Sequence, residues 1–158
     1  MPQNKHALHQ LIMKALEGVR DAAEQSVRQA HEAATHEETV AENKYDTFGL
    51  EASYLAAGQS KRLLQAEADI QTFRKLPVKA FTEEDAIGFG AYVVLRDAQN
   101  KEMHLFISPV AGGLTVELDE QRVGLVSAAS PLGNKLLGAF LGDEVAVNGY
   151  LYEITQLA

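Results

Sequence analysis

The chain has 158 residues, room for one domain or two small ones, and 46% of them are hydrophobic, which excludes a disordered chain. It contains no cysteine, so disulfides and thiolate metal sites are excluded, and a reducing, cytoplasmic location is expected. The net charge of −8 argues against direct binding to a nucleic-acid backbone, which normally needs clustered Lys and Arg. That charge is uneven: residues 1–76 carry a net −2 and residues 77–158 a net −6. An acidic surface keeps a protein soluble and can steer it toward a basic partner. The N-terminal MPQNKHALHQ has no apolar core of a signal peptide. No run approaches the ~20 apolar residues of a membrane span.

Residues 3–76 contain no proline, and Gly occurs there only at 18, 49 and 58. Ala, Leu, Gln, Glu and Lys dominate, and these favour helix. Apolar or small residues recur at Leu8, Ile12, Ala15, Val19, Ala22, Ser26, Ala30 and Ala33, spaced mostly 4 and 3 apart as in a coiled-coil seam. A second arm repeats the pattern at Ala52, Leu55, Ala56, Leu63, Ala66, Ile70 and Phe73, and Pro77 stops it. One helix of ~70 residues would be unusual, so a turn near residues 35–39 is expected to fold the two arms into an antiparallel hairpin. Thr35 with Glu38, and Thr39 with Glu42, both have the T-x-x-E form of a capping box, the second being the better start for the second helix.

Around that turn the charge is concentrated. Residues 36–46, HEETVAENKYD, hold Glu37, Glu38, Glu42 and Asp46 against Lys44 alone. Carboxylates in a first helical turn are favoured by the helix dipole. Charge runs in loops are usually solvated, and this is the plain account of Glu37.

The period changes in the second half. AYVVLR (91–96), MHLFI (103–107), LTVEL (114–118) and VGLV (123–126) read as strands, separated by the polar DAQNK and by a turn at Gly112-Gly113. Ser130-Pro131 supplies an N-cap and a first helical residue for a short helix ending near Gly138. DEVAV (143–147) and YLYEI (150–154) close the chain as a hairpin around Asn148-Gly149. The expected architecture is α+β: a helical hairpin over residues 1–76 with an acidic tip near 35–46, then a small antiparallel sheet domain with one short helix over 77–158.

Two motifs carry a resemblance to a family. AENKY (41–45) is similar to the acidic-tip signature of the Gre-type transcript cleavage factors of bacteria and their homologues, and SPLGNKLLG (130–138) with GDEV (142–145) is very like that family's C-terminal pattern. The order of parts matches along nearly the whole chain. The resemblance implies an FKBP-like fold for the second half and a monomer that binds RNA polymerase. It implies a hairpin that enters the polymerase secondary channel, where two tip carboxylates help hold a second Mg²⁺ and an attacking water. The chemistry would belong to the polymerase, so the chain would be no enzyme and would bind no cofactor alone. The physical basis is that a weakly held cation in a two-metal site needs hard oxygen ligands.

Carried over residue by residue, Glu42 matches the second tip carboxylate, Asn43 follows it, and the first falls on Thr39, which is no acid. Glu38 is the adjacent candidate to replace it, with Glu37 and Asp46 close by. Ser130, Pro131 and Leu132 match the segment that meets the polymerase. For Glu42 the capping role competes with the metal role, and the two need not exclude each other.

Other residues point to no site. His31 and His36 are five apart, not the i, i+4 spacing of a helical metal pair. His104 alternates within a strand. Ser130 lacks a His or acid in motif context and reads as an N-cap rather than a nucleophile. Gly112-Gly113 lacks the Lys of a phosphate loop. Two alternatives of other classes remain. One is a prolyl isomerase, suggested by the fold alone. The other is a coiled-coil scaffold or chaperone without polymerase.

Overall fold

The computed structural model describes residues 4–40 and 48–158, and the side chains outside 34–56. The fold is α+β. In chain order it has α1 (Lys5–Val40), α2 (Phe48–Arg74), β1 (Tyr92–Arg96), β2 (Glu102–Ile107), β3 (Thr115–Leu118), β4 (Gln121–Val126), α3 (Pro131–Leu136), β5 (Glu144–Val147) and β6 (Tyr150–Leu157). Residues 16–70 form one compact unit, and residues 1–15 with 71–158 form the other.

In the unit of residues 16–70, α1 and α2 share a groove lined by Val19, Ala22 and Ala23 on one side and Arg62, Ala66 and Asp69 on the other. Chain length fixes their direction. Parallel helices in this register would need the connection from Val40 to Phe48 to span ~50 Å, at ~1.5 Å of rise per helical residue. Eight residue steps reach at most ~29 Å, so the helices run antiparallel.

Two sequence expectations need correction here. α1 does not turn at 35–39 but continues as helix to Val40, and α2 starts at Phe48. The reason is local: Ala33, Ala34, Glu37 and Glu38 are helix formers, and no Gly or Pro lies between Gly18 and Gly49 to stop the helix. Thr35, Glu38 and Thr39 are therefore inside α1, so neither Thr begins the second helix. The seam also shifts. Leu16 is buried in place of Ala15, and Val19 is 48% exposed. A helix of 3.6 residues per turn drifts ~20° per heptad from a 3.5-residue seam, and the larger Leu16 captures the inner position.

The other unit is built on a six-stranded sheet of order β3-β4-β2-β1-β6-β5. The expected antiparallel sheet is in fact mixed, because β2 and β4 pair in parallel, Leu105 opposite Gly124. The segment 108–114 carries the chain one strand outward, so β3 runs at the edge and β4 returns into the gap beside β2. The turn from β3 to β4 is Asp119-Glu120, with φ of 51° and 66°. Both are left-handed, as in Asn148-Gly149 with φ of 51° and 82°. A two-residue hairpin needs that geometry to match strand twist, and at Asp119-Glu120 it forms without Gly.

β1 is the centre. Tyr92, Val93, Val94 and Leu95 are all buried. Val93 and Leu95 join Leu105, Ile107 and Ile154 in a core closed by Leu136 of α3 and by Phe81 and Ile87 of the preceding loop. On the opposite face, Phe106 meets the ends of the two helices. His9 of α1 stacks edge-on to Phe106 at 5.3 Å and lies 5.2 Å from Phe73 of α2, and Phe73 lies 6.0 Å from Phe106. Leu8 and Ile12 are fully buried beside them in sequence. Lys5 binds the carbonyls of Lys79 and Ala158, the latter at 3.1 Å, while its ammonium stands 4.8 Å from the Phe81 ring. Burial, helped by the nearby Lys79 charge, lowers the Lys5 pKa to about 8.

His9 is 8% exposed and its Nε2 has no hydrogen-bond partner. Burial first, and then the charges of Lys5 and His6, push its pKa below the ordinary 6.5. The unfolded chain therefore binds the proton more readily than the folded one, and the fold loses stability as pH falls from about 6.5 toward the depressed folded value. Replacing the unpaired imidazole by an apolar side chain removes a desolvated polar atom worth roughly 1–3 kcal/mol. His9→Leu is expected to raise the denaturant midpoint and to flatten its decline between pH 7 and 5. A midpoint that declines equally in both proteins would assign the pH dependence to other groups.

Candidate functional site

The segment leaving β4 is held by backbone approach. Ser130, with φ −85° and ψ 149°, accepts the Gly133 N–H on its hydroxyl at 3.0 Å, and the same hydroxyl donates to the Ser127 carbonyl at 3.0 Å. Pro131 takes the first helical position, where no N–H is needed. Gly133 lies against the Ser127 carbonyl so closely that a Cβ there would come within 1.9 Å of the oxygen. Gly112 comes up to the same residue, and a Cβ on it would meet the Ser127 hydroxyl at 2.8 Å. Ser127 is thus a hub for two loops and a helix start. Sequence reasoning passed over it, although a Ser three residues before Ser-Pro was the visible signal.

This geometry assigns parts within the Ser-Pro-Leu segment. The Ser130 hydroxyl is consumed internally as an N-cap, as its sequence context indicated. Leu132 is half-buried and packs against the core. Pro131 is exposed, as are Asn134 and Lys135 on the next turn, and the Lys135 ammonium binds the Ala146 carbonyl of β5. In the Gly112-Gly113 turn, Gly112 serves close packing against Ser127, and Gly113 supplies a φ of 96°.

At the other candidate site, Glu37, Glu38 and Thr39 lie within α1. Glu42, Asn43 and Asp46 lie outside the described residues.

Among the described residues no group of three His, Cys, Asp or Glu could hold a metal ion. His31 is exposed on α1. His104 is half-buried, with Nδ1 hydrogen-bonded to the Tyr92 hydroxyl and Nε2 3.4 Å from Glu102. Burial, with the Glu102 charge, pushes the Tyr92 phenol up to about 12. The pair is a buried polar link on the central strands. No helix among the described residues is long and apolar enough to cross a membrane.

No family model matches the chain, and no curated protein matches it. Among solved structures it is similar to GreA factor homolog 1 (Gfh1) of Thermus thermophilus, at 20% identity and a TM-score of 0.37 over 92% of this chain and 94% of that one. A second structure of the transcription factor Gfh1 gives 17% identity and a TM-score of 0.39, covering 92% of each chain. Gfh1 of Thermus aquaticus gives 21% identity and a TM-score of 0.36, covering 91% of this chain and 92% of that one.

The contact of Gly133 with the Ser127 carbonyl makes a direct prediction. Gly133→Ala forces backbone apart at a packed site and is expected to cost about 3 kcal/mol, at the upper end of overpacking. Ser130→Ala loses one cap and is expected to cost about 1 kcal/mol. Urea unfolding of the two variants checks the order, and equal losses would show that the loop relaxes freely.

Proposed function

We propose that this chain is an RNA polymerase-binding transcription regulator of Gre type. Its hairpin enters the secondary channel, and the Pro131 side of an FKBP-like sheet unit meets the enzyme. The observation that carries this is the gathering of Glu37, Glu38, Glu42 and Asp46 within residues 36–46, with Lys44 alone opposing them. A cation met on the partner gives those carboxylates a use. The resemblance of SPLGNKLLG and AENKY to the Gre-type motifs supplies the identity of that partner, and the helix–helix–sheet order agrees with it. The chain acts on the polymerase's own active site and is not itself an enzyme.

Within this function, occupation of the channel outweighs stimulation of transcript cleavage. Thr39 stands where the family has its first tip acid, and a hydroxyl brings no full charge to a weakly held Mg²⁺. Loss of one preorganised group costs on the order of 3–4 kcal/mol, a rate loss of roughly 100-fold or more. Glu42 would be the remaining ligand, with Glu38 beside Thr39.

Saturating amounts of this protein should displace a known secondary-channel factor from bacterial RNA polymerase. Unchanged binding of that factor would remove the proposal. In a backtracked-complex RNA cleavage assay, Thr39→Asp should raise cleavage and Glu42→Ala should abolish any that exists. Strong cleavage by the unmodified protein, lost in Glu38→Ala, would instead make Glu38 the missing ligand.

A further inference from the structure

The coiled-coil seam read from the sequence is only partly used inside the hairpin. Leu16, Ala30, Ala66 and Ile70 are buried. Val19, Ala22 and Ser26, three consecutive positions of that seam, instead line the open groove shared by α1 and α2. Val19 is 48% exposed, and Ala22 is exposed as well. The groove holds about 390 Å³, so the two helices do not close on each other there. Ser26 makes no polar demand on an occupant, because its hydroxyl donates to the Ala22 carbonyl at 3.0 Å. A seam that its own hairpin leaves open is a surface for a further helix.

Small residues alone would not say which helix. The α2 side of the groove does, because it carries Arg62 and Asp69 with Gln65 and Ala66 between them. Arg62 is exposed and lies within ion-pair distance of no carboxylate among the described residues. Asp69 is half-buried, and its carboxylate accepts the Gln65 amide N–H at 2.9 Å, a neutral partner. Asp69 follows Arg62 by about two helical turns, so the two charges share one face ~10 Å apart. An occupant must set an acid against Arg62 and a base against Asp69 at the same spacing. The α2 helix of a second copy meets that requirement when it runs antiparallel. A two-fold axis crossing between Gln65 and Ala66 places Arg62 of each copy opposite Asp69 of the other, and both ion pairs form at once. On the α1 side no charged residue lines the groove, so no like charges meet there.

We propose that this groove is the interface of a reversible two-fold homodimer, in which two hairpins pack face to face as a four-helix assembly. The association is weak, because residues 16–70 carry five basic and eleven acidic residues and two such hairpins repel each other. The monomer that the Gre-type resemblance implies becomes one side of a monomer–dimer equilibrium. The inference does not depend on the polymerase proposal, and each can fail alone.

The test is sedimentation equilibrium of the full chain from roughly 10 µM to 1 mM, the range of weak association. The average mass should rise from one chain toward two. Arg62→Glu and Asp69→Lys each set like charges across the axis twice, and each should weaken the dimer roughly 10-fold or more. Val19→Glu, on the α1 rim, should weaken it as well. An equal mixture of the Arg62→Glu and Asp69→Lys chains should associate again, because the new acid on one meets the new base on the other, and the untouched Asp69 meets the untouched Arg62. A mass that stays at one chain throughout would overturn the proposal and leave the groove to a helix of a different protein. A dimer that both single variants leave intact would overturn it by placing the interface elsewhere. So would a mixture that fails to associate, since the losses would then not come from this charge pairing.

Discussion

The fold depends on covering both faces of β1. Four consecutive residues, Tyr92 to Leu95, are buried, and a strand whose alternate side chains are all apolar or aromatic has no side to give to water. One face is closed by α3 and the loop before β1. The other needs the helix ends, because β2 presents Phe106 there and nothing else in the sheet can cover it. His9 and Phe73 meet that need, so the first turns of α1 and the last of α2 belong to the same unit as the sheet although they begin and end a long helical hairpin. His9 is the costly member of this layer. It packs well as a ring and poorly as a polar group.

The remainder of the hairpin follows a different balance. Its buried positions include Leu16, Ala30, Ala66 and Ile70, and alanine seams bring helices close without burying much area. Residues 16–70 also carry five basic and eleven acidic residues, a net −6. Self-repulsion and a thin seam both work against stability, so this unit trades packing for charge.

At the Ser-Pro-Leu-Gly segment the controlling force is steric. Gly133 and Gly112 both come up to Ser127, and the Ser130 hydroxyl joins the helix start to the same carbonyl. These contacts hold Pro131 outward and Leu132 against the core. A motif that looks like a binding signature is also the means by which a six-residue helix is fixed on the sheet. The exposed part of the motif is smaller than its sequence suggests.

The sequence alone determined what depends on near neighbours. Strand positions followed from alternating or continuous apolar runs such as YVVL, the α3 start from Ser130-Pro131, and the last hairpin from Asn148-Gly149. The helical character of residues 5–40 and 48–74 followed from composition. Tertiary structure decided whatever depends on partners distant in the chain. The parallel pairing of β2 with β4 arises because segment 108–114 moves β3 outward, and no local pattern records which strand fills the gap. Leu16 rather than Ala15 faces inward because helix drift and side-chain volume act together. Asp119-Glu120 adopts left-handed geometry because Leu118 and Gln121 are already paired across it.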